Sequence, residues 1–264
     1  MAADDHVSEQ LGPGETQASP REGNRGESVQ RDVTGGMVRA TTVLWDIDGT
    51  LVSSGGVAVR AFLDAVAEVT GLRPPPERRD YGGRLDTEIA DMLLVAVGAK
   101  PAQVGDVLAV LERLVAERLD DLRAQTSTYP GVGALLGYLA AAGVQQTVVT
   151  GNVAAVARHK LEAGALIPPI QPDWGGYGDS APDRAAVARV ALDRLSAAGR
   201  KPDPSQVWIV GDTPRDLACA QAIGVRCALV ATGRRTTGEL TGLGADIVLP
   251  DLSDPRPLLD LWRL

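Results

Sequence analysis

Strand-like runs alternate with stretches of helical periodicity along most of this chain, and that alternation restricts the fold more than any other feature. The strands are expected at Thr41–Asp46, Val144–Thr150, Gln206–Gly211, Val225–Ala231 and Asp246–Leu249. Helices are expected at Val132–Ala142, Val153–Ala163, Asp183–Ala198 and Asp216–Ile223. A strand that returns through a helix to the next strand builds a parallel sheet with helices on both faces. The expected class is therefore α/β, a doubly wound parallel sheet. Ligands of such sheets sit beyond the carboxyl ends of the strands.

One stretch breaks the alternation. Val57–Thr70, Asp86–Val97 and Ala102–Ala124 read as consecutive helices, with Gly71, Pro74-Pro75-Pro76 and Gly98 as stops. In the third, Leu108, Leu111, Val115 and Leu119 fall at helical spacing. The helical block is read as a cap inserted after the first strand. The boundaries follow: a tail over 1–38, an α/β core over 39–54 and 127–264, and a cap over 55–126. The tail is rich in Gly, Ser, Gln and acids and lacks apolar clusters, so it is expected to be disordered. Met37, just ahead of the first strand, is a candidate natural start.

The strand ends carry the chemistry. The first delivers Asp46 and Asp48, the second Thr150-Gly151-Asn152, and the third Gly211-Asp212 followed by Asp216. A strand's side chains repeat every two residues, so Asp46 and Asp48 can leave the first strand on one side. Two crowded carboxylates repel each other, and a hard divalent cation such as Mg²⁺ relieves that repulsion. One acid can then attack an electrophile while the other handles a proton. Asp-x-Asp-Gly also occurs in plain turns and calcium loops. An EF-hand would need further acids at fixed offsets, and Leu51-Val52-Ser53-Ser54-Gly55-Gly56 supplies none.

Taken together, Asp46-Ile47-Asp48-Gly49-Thr50-Leu51 and Gly211-Asp212-Thr213-Pro214-Arg215-Asp216 resemble the motifs of the haloacid dehalogenase superfamily, phosphatase type, with a helical cap after the first motif. The resemblance spans about residue 41 to about residue 250. It implies Asp46 as the nucleophile that becomes an aspartyl-phosphate. It implies Asp48 as the acid, then the base. It implies Mg²⁺ held by Asp46, the Asp48 main-chain carbonyl and Asp212, with Asp216 supporting the site. Thr150, with the main-chain N–H groups of Gly151 and Asn152, would bind the phosphoryl oxygens. The family also uses a basic residue against the phosphoryl group. Arg184 opens a helix at a suitable distance and is the leading choice, with Lys160 and Lys201 as alternatives. Arg84, in Gly82-Gly83-Arg84-Leu85-Asp86, lies where related phosphatases place substrate-contacting loops. A plain helix start with Asp86 near its first turn is the competing reading of that segment.

Composition excludes several classes. The net charge is −8 and no Lys/Arg-rich block occurs, which argues against nucleic acid or an anionic membrane as partner. No run approaches 18 apolar residues and no basic-then-apolar leader opens the chain, so a cytoplasmic setting is expected. Cys219 and Cys227 match no metal or redox spacing and read as small buried hydrophobes. The expected activity is a Mg²⁺-dependent phosphatase acting on a small phosphorylated metabolite such as phosphoglycolate, a sugar phosphate or a nucleotide, as a monomer or small homo-oligomer. A phosphomutase and a non-catalytic phospho-metabolite binder are the alternatives. A dehalogenase lacks the second acid that Asp48 supplies, and a receiver domain has no inserted cap.

Overall fold

The computed structural model describes residues 39–75 and 80–264, which belong to one compact unit. The expected disordered tail over 1–38 lies outside the described residues. Five parallel strands form the central sheet in the order β4-β1-β5-β6-β7. They are β1 (Thr42–Trp45), β4 (Gln145–Val148), β5 (Val207–Gly211), β6 (Arg226–Val230) and β7 (Ile247–Leu249). Each falls inside a run read from the sequence, shortened by a residue or two at its ends. A further pair, β2 (Val52–Ser53) and β3 (Ser127–Thr128), is antiparallel and stands apart from the sheet.

Period-two alternation sorts the strand side chains into two cores. Val43, Trp45, Trp208, Val210, Ala228 and Val230 face one layer. Leu44, Val207, Ile209, Cys227 and Leu229 face the other. Both cysteines are free and buried in this second layer, where desolvation pushes the Cys219 thiol up to about 12. The helices covering the sheet are α5 (Val132–Ala141), α6 (Ala154–Ala163), α7 (Arg184–Ala197), α8 (Pro214–Ile223), α9 (Thr237–Thr241) and α10 (Arg256–Trp262). Local signals fix their ends. Asp183 accepts from Ala186 N to start α7. Thr213 and Pro214 start α8, and Gly224 in the left-handed region ends it.

Between β2 and β3 lie α1 (Val57–Thr70), α2 (Asp86–Ala96), α3 (Val104–Glu117) and α4 (Leu119–Gln125). They pack around an apolar cluster that includes Val57, Phe62, Leu93, Leu94, Leu111 and Leu122 and that Val153 and Val156 at the start of α6 share. The expected single helix over Ala102–Ala124 is divided. Arg118 leaves helical geometry (φ −108°, ψ 24°) while its guanidinium bonds Asp64 at 2.7 Å. That break turns the chain so that Leu122 is fully buried. The short α9 and α10 follow the last loops, where periodicity spans too few residues to be read.

Register sets the site. Trp45 lies level with Val148 on one side and Val210 on the other. The residues that follow these three therefore emerge together at one edge of the sheet.

Candidate active site

Asp46 leaves β1 with its N–H still bonded to the Val210 carbonyl, at 2.9 Å. Asp212 leaves β5 beside it. The chain then needs Gly49 twice over. Its φ is +86°, and a Cβ there would stand 2.5 Å from Asp212 Oδ2. Gly233, after β6, crowds the same carboxylate from the far side, where a Cβ would come within 1.7 Å. Thr50 Oγ1 donates to Asp212 Oδ1 at 3.3 Å. Asp216, in the first turn of α8, accepts from Thr213 N and Thr213 Oγ1 at 3.0 and 2.6 Å. The carboxylates of Asp46, Asp212 and Asp216 are all buried, with one oxygen of each within 4.8 Å of the others.

Arg184 closes this cluster. Its Nη2 donates to Asp46 Oδ1 at 2.7 Å and also to Asp216 Oδ1. Burial pushes the Asp46 carboxyl up to about 7, against the pull of Arg184 and with Asp216 adding to the rise. Burial, with Asp46 and Asp216 alongside, pushes Asp212 up to about 8. Burial opposes the charge on Arg184, but Asp216 and Asp46 outweigh it and hold the guanidinium above its ordinary range. With all three carboxylates ionised against one guanidinium, a charge of two would be left over. A divalent cation would offset that charge, and an all-oxygen donor set suits a hard one. The residues present fit such an ion.

Thr150 is buried at the end of the second strand run, and its Oγ1 accepts from Asn152 N at 3.2 Å. The Asn152 N–H expected to meet a phosphoryl group is therefore engaged within its own loop. Gly151 packs so tightly on the Arg84 carbonyl that a Cβ would lie 1.8 Å from it. The Arg84 side chain lines the cavity above the acids, while its Nε donates to the Asp80 carbonyl at 3.2 Å.

Of the three candidate bases, Lys201 is exposed between α7 and β5 and does not reach the cavity. Lys160 does. It is 3% exposed, and its Nζ donates to Asp48 Oδ2 at 2.5 Å and to Asn152 Oδ1 at 2.9 Å. Side chains on a helix lean toward its N-terminus, and α6 begins just after Asn152, which is how a lysine two turns along reaches back to the site. Arg184 and Lys160 therefore each pair with one acid of the first motif, Arg184 with Asp46 and Lys160 with Asp48.

Asp86 opens α2, as the helix-start reading expects, one residue after the cap position of that helix. Leu85 occupies that cap position. The Asp86 carboxylate instead accepts from Val153 N at 2.8 Å and from Asn152 Nδ2 at 3.4 Å, and so caps α6 from the helical block. The Asp86 N–H donates to the Gly151 carbonyl at 2.7 Å. Arg215 donates to the Gly82 carbonyl at 2.7 Å, and Arg184 Nη1 to the Gly83 carbonyl at 3.4 Å. The Gly82–Asp86 segment is thus bonded to the loop ahead of α6 and to the first turns of α7 and α8, a contact that no local sequence pattern marks.

A family model described as haloacid dehalogenase-like hydrolase matches residues 43–221. The chain belongs to the haloacid dehalogenase-like hydrolases. It is an enzyme of their phosphatase type. It is 34% identical to the phosphoglycolate phosphatase of Rhodospirillum rubrum over 80% of this chain and 87% of that one. Its identity to the phosphoglycolate phosphatase of Caulobacter vibrioides is 28%, over 85% and 93%. Among solved structures, CbbY from Rhodobacter sphaeroides, in complex with phosphate, superposes with a TM-score of 0.64 at 20% identity over 82% of this chain and 96% of that one. That last likeness is one of fold: the parallel sheet with helices on both faces is the hydrolase core. Among the described residues, no helix is long and apolar enough to cross a membrane.

Proposed function

We propose that this hydrolase is a Mg²⁺-dependent phosphatase that cleaves a small phosphate monoester through an aspartyl-phosphate. The observation that carries the reading is the meeting of Asp46, Asp212 and Asp216 with Arg184, with Asp46, Asp212 and Arg184 on the floor of one cavity and Asp216 buried behind them. Asp46, Asp212 and the Asp48 carbonyl would hold the ion, with Asp216 fixing Arg184 beside them. When bound, Mg²⁺ would offset the charge that otherwise keeps nucleophile and phosphoryl group apart.

The chain's own residues do the rest. Asp46 forms the bond to phosphorus as the ester oxygen leaves. Arg184 faces Asp46 and meets the phosphoryl oxygens with a charge that stays on at every working pH. The Thr150 hydroxyl uses its oxygen to accept from Asn152 N and keeps its proton to donate to a phosphoryl oxygen. Asp48 gives a proton to the departing alcohol, then takes one from the water that cleaves the acyl phosphate. Lys160 fixes where the Asp48 carboxyl points. The helical block roofs the reaction from water. Arg84, in the wall of the cavity, contacts the substrate. The partner is a small phosphorylated metabolite.

The test is phosphate release from a panel of monoesters with and without Mg²⁺, on the wild type and Asp46→Asn. Phosphoglycolate belongs in the panel because the named relatives are phosphoglycolate phosphatases. Metal-dependent turnover lost in the variant supports the reading. Equal turnover by the variant sinks Asp46 as nucleophile.

A further inference from the structure

The cavity above Asp46 has a volume of about 630 Å³, far more than a phosphoryl group on a two-carbon acid fills. Its two ends differ in kind. Acids, Arg184 and Lys160 make the floor. The far end is walled by Phe62 and Leu63 of α1, Ile89 and Leu93 of α2, Leu111 of α3, and Val156 of α6. Across α1, α2 and α3 the only ionisable side chain lining the cavity is Asp86. Its carboxylate is turned away into the α6 cap. Arg84 and Arg215 each use one guanidinium donor on the carbonyls of Asp80 and Gly82, and the other charged residues lining the cavity, Asp80, Arg234, Arg235 and Glu239, come from loops and from α9 rather than from these three helices.

We propose that this apolar lobe is a substrate subsite, and that the alcohol released is a hydrophobic one rather than a two-carbon hydroxy acid. The inference rests on the phosphatase reading above. An alkyl leaving group trades water for the side chains of four helices, a gain proportional to the area it buries. A carboxylate in the same place loses its water without a partner.

The experiment compares kcat/KM for methyl, butyl and hexyl phosphate and for phosphoglycolate, with Mg²⁺ present. The expected result is a rise of about fourfold per buried methylene until the lobe is full, with hexyl phosphate ahead of phosphoglycolate. A flat series, or phosphoglycolate ahead of hexyl phosphate, overturns the proposal. Val59 lines the lobe from α1 yet is 47% exposed, so Val59→Asp leaves the core packing in place. That variant is expected to drive the hexyl-to-methyl ratio toward one, and an unchanged ratio counts against the lobe. Absence of turnover on every ester would instead sink the phosphatase reading. Calorimetric titration with methylphosphonate and hexylphosphonate then decides the lobe by itself. Tighter hexylphosphonate binding supports it, and equal binding overturns it.

Discussion

The floor and the roof of the cavity are built on opposite principles. The floor is a set of mostly buried charges held by named hydrogen bonds, on loops that leave adjacent strands in register and on the helices that follow them. The roof is a set of apolar side chains on helices with an apolar cluster between them. On the floor, one atom out of place leaves a buried charge unbalanced. On the roof, shape and volume matter, and side chains of similar size can replace one another at little cost. The floor is therefore suited to fixing a reaction and the roof to choosing what undergoes it.

The comparison is broken most sharply at Asp46. Asp46→Asn is expected to lower kcat by on the order of 10⁴-fold, because an amide cannot form the acyl phosphate. Circular dichroism should show the fold retained, and a variant with near-normal turnover would remove the floor from the chemistry. Next in size is the metal. Chelation should reduce turnover to background, and added Mg²⁺ should restore it, as read by phosphate release. Lys160→Met keeps the buried stem and removes the charge that holds Asp48. The expected fall in kcat is about 10- to 100-fold, with a smaller change in KM. A change confined to KM would move Lys160 to substrate binding.

Stability sharpens the contrast further. Without metal, native Asp46 and Asp212 keep their protons up to about 7 and about 8, whereas an unfolded Asp releases its proton near ~3.9. The native state therefore holds more protons through that window. Stability from these groups is full below the unfolded value and is lost as pH rises through 7 and 8. The melting temperature of metal-free protein should fall from pH 5 to pH 9, and saturating Mg²⁺ should flatten the slope. A metal-free profile that rises over that range would refute the assignment. The smallest effect is expected at the seam. Asp86→Ala removes the cap on α6 and should cost about 1 kcal/mol in urea unfolding. Asp86→Asn, which keeps an acceptor, should cost less.

Most of the floor was legible in the sequence because strand ends concentrate its residues. Asp46, Asp48, Thr150 and Asp212 each follow an apolar run, and the structure brings all four to one sheet edge. Arg184 could be ranked from its distance to Asp212 along the chain, but its bonds to Asp46 and Asp216 belong to the packing of α7. Lys160 was visible only as a helical lysine, since its reach depends on how α6 lies across the site. Asp86 read only as part of a helix start, because local rules treat a residue and its own helix, and its carboxylate bonds a backbone N–H 67 residues further on. The roof could be read as periodicity but not as a cavity. Whether Phe62 or Leu93 faces a neighbouring helix or a substrate depends on the angle between helices.

The two-residue ladder between β2 and β3 has a consequence for how such an enzyme changes over time. Val52 pairs with Thr128 and Ser53 with Ser127, so the points where the chain departs from and rejoins the sheet are held side by side. To the rest of the molecule, the whole helical block is a hairpin loop. Closing a loop costs only slightly more as it lengthens. Residues can be gained, lost or exchanged between Ser54 and Thr126 while the strand register beneath stays as it is. Selectivity can then drift in one part of the gene while the hydrolytic step is inherited unchanged in another.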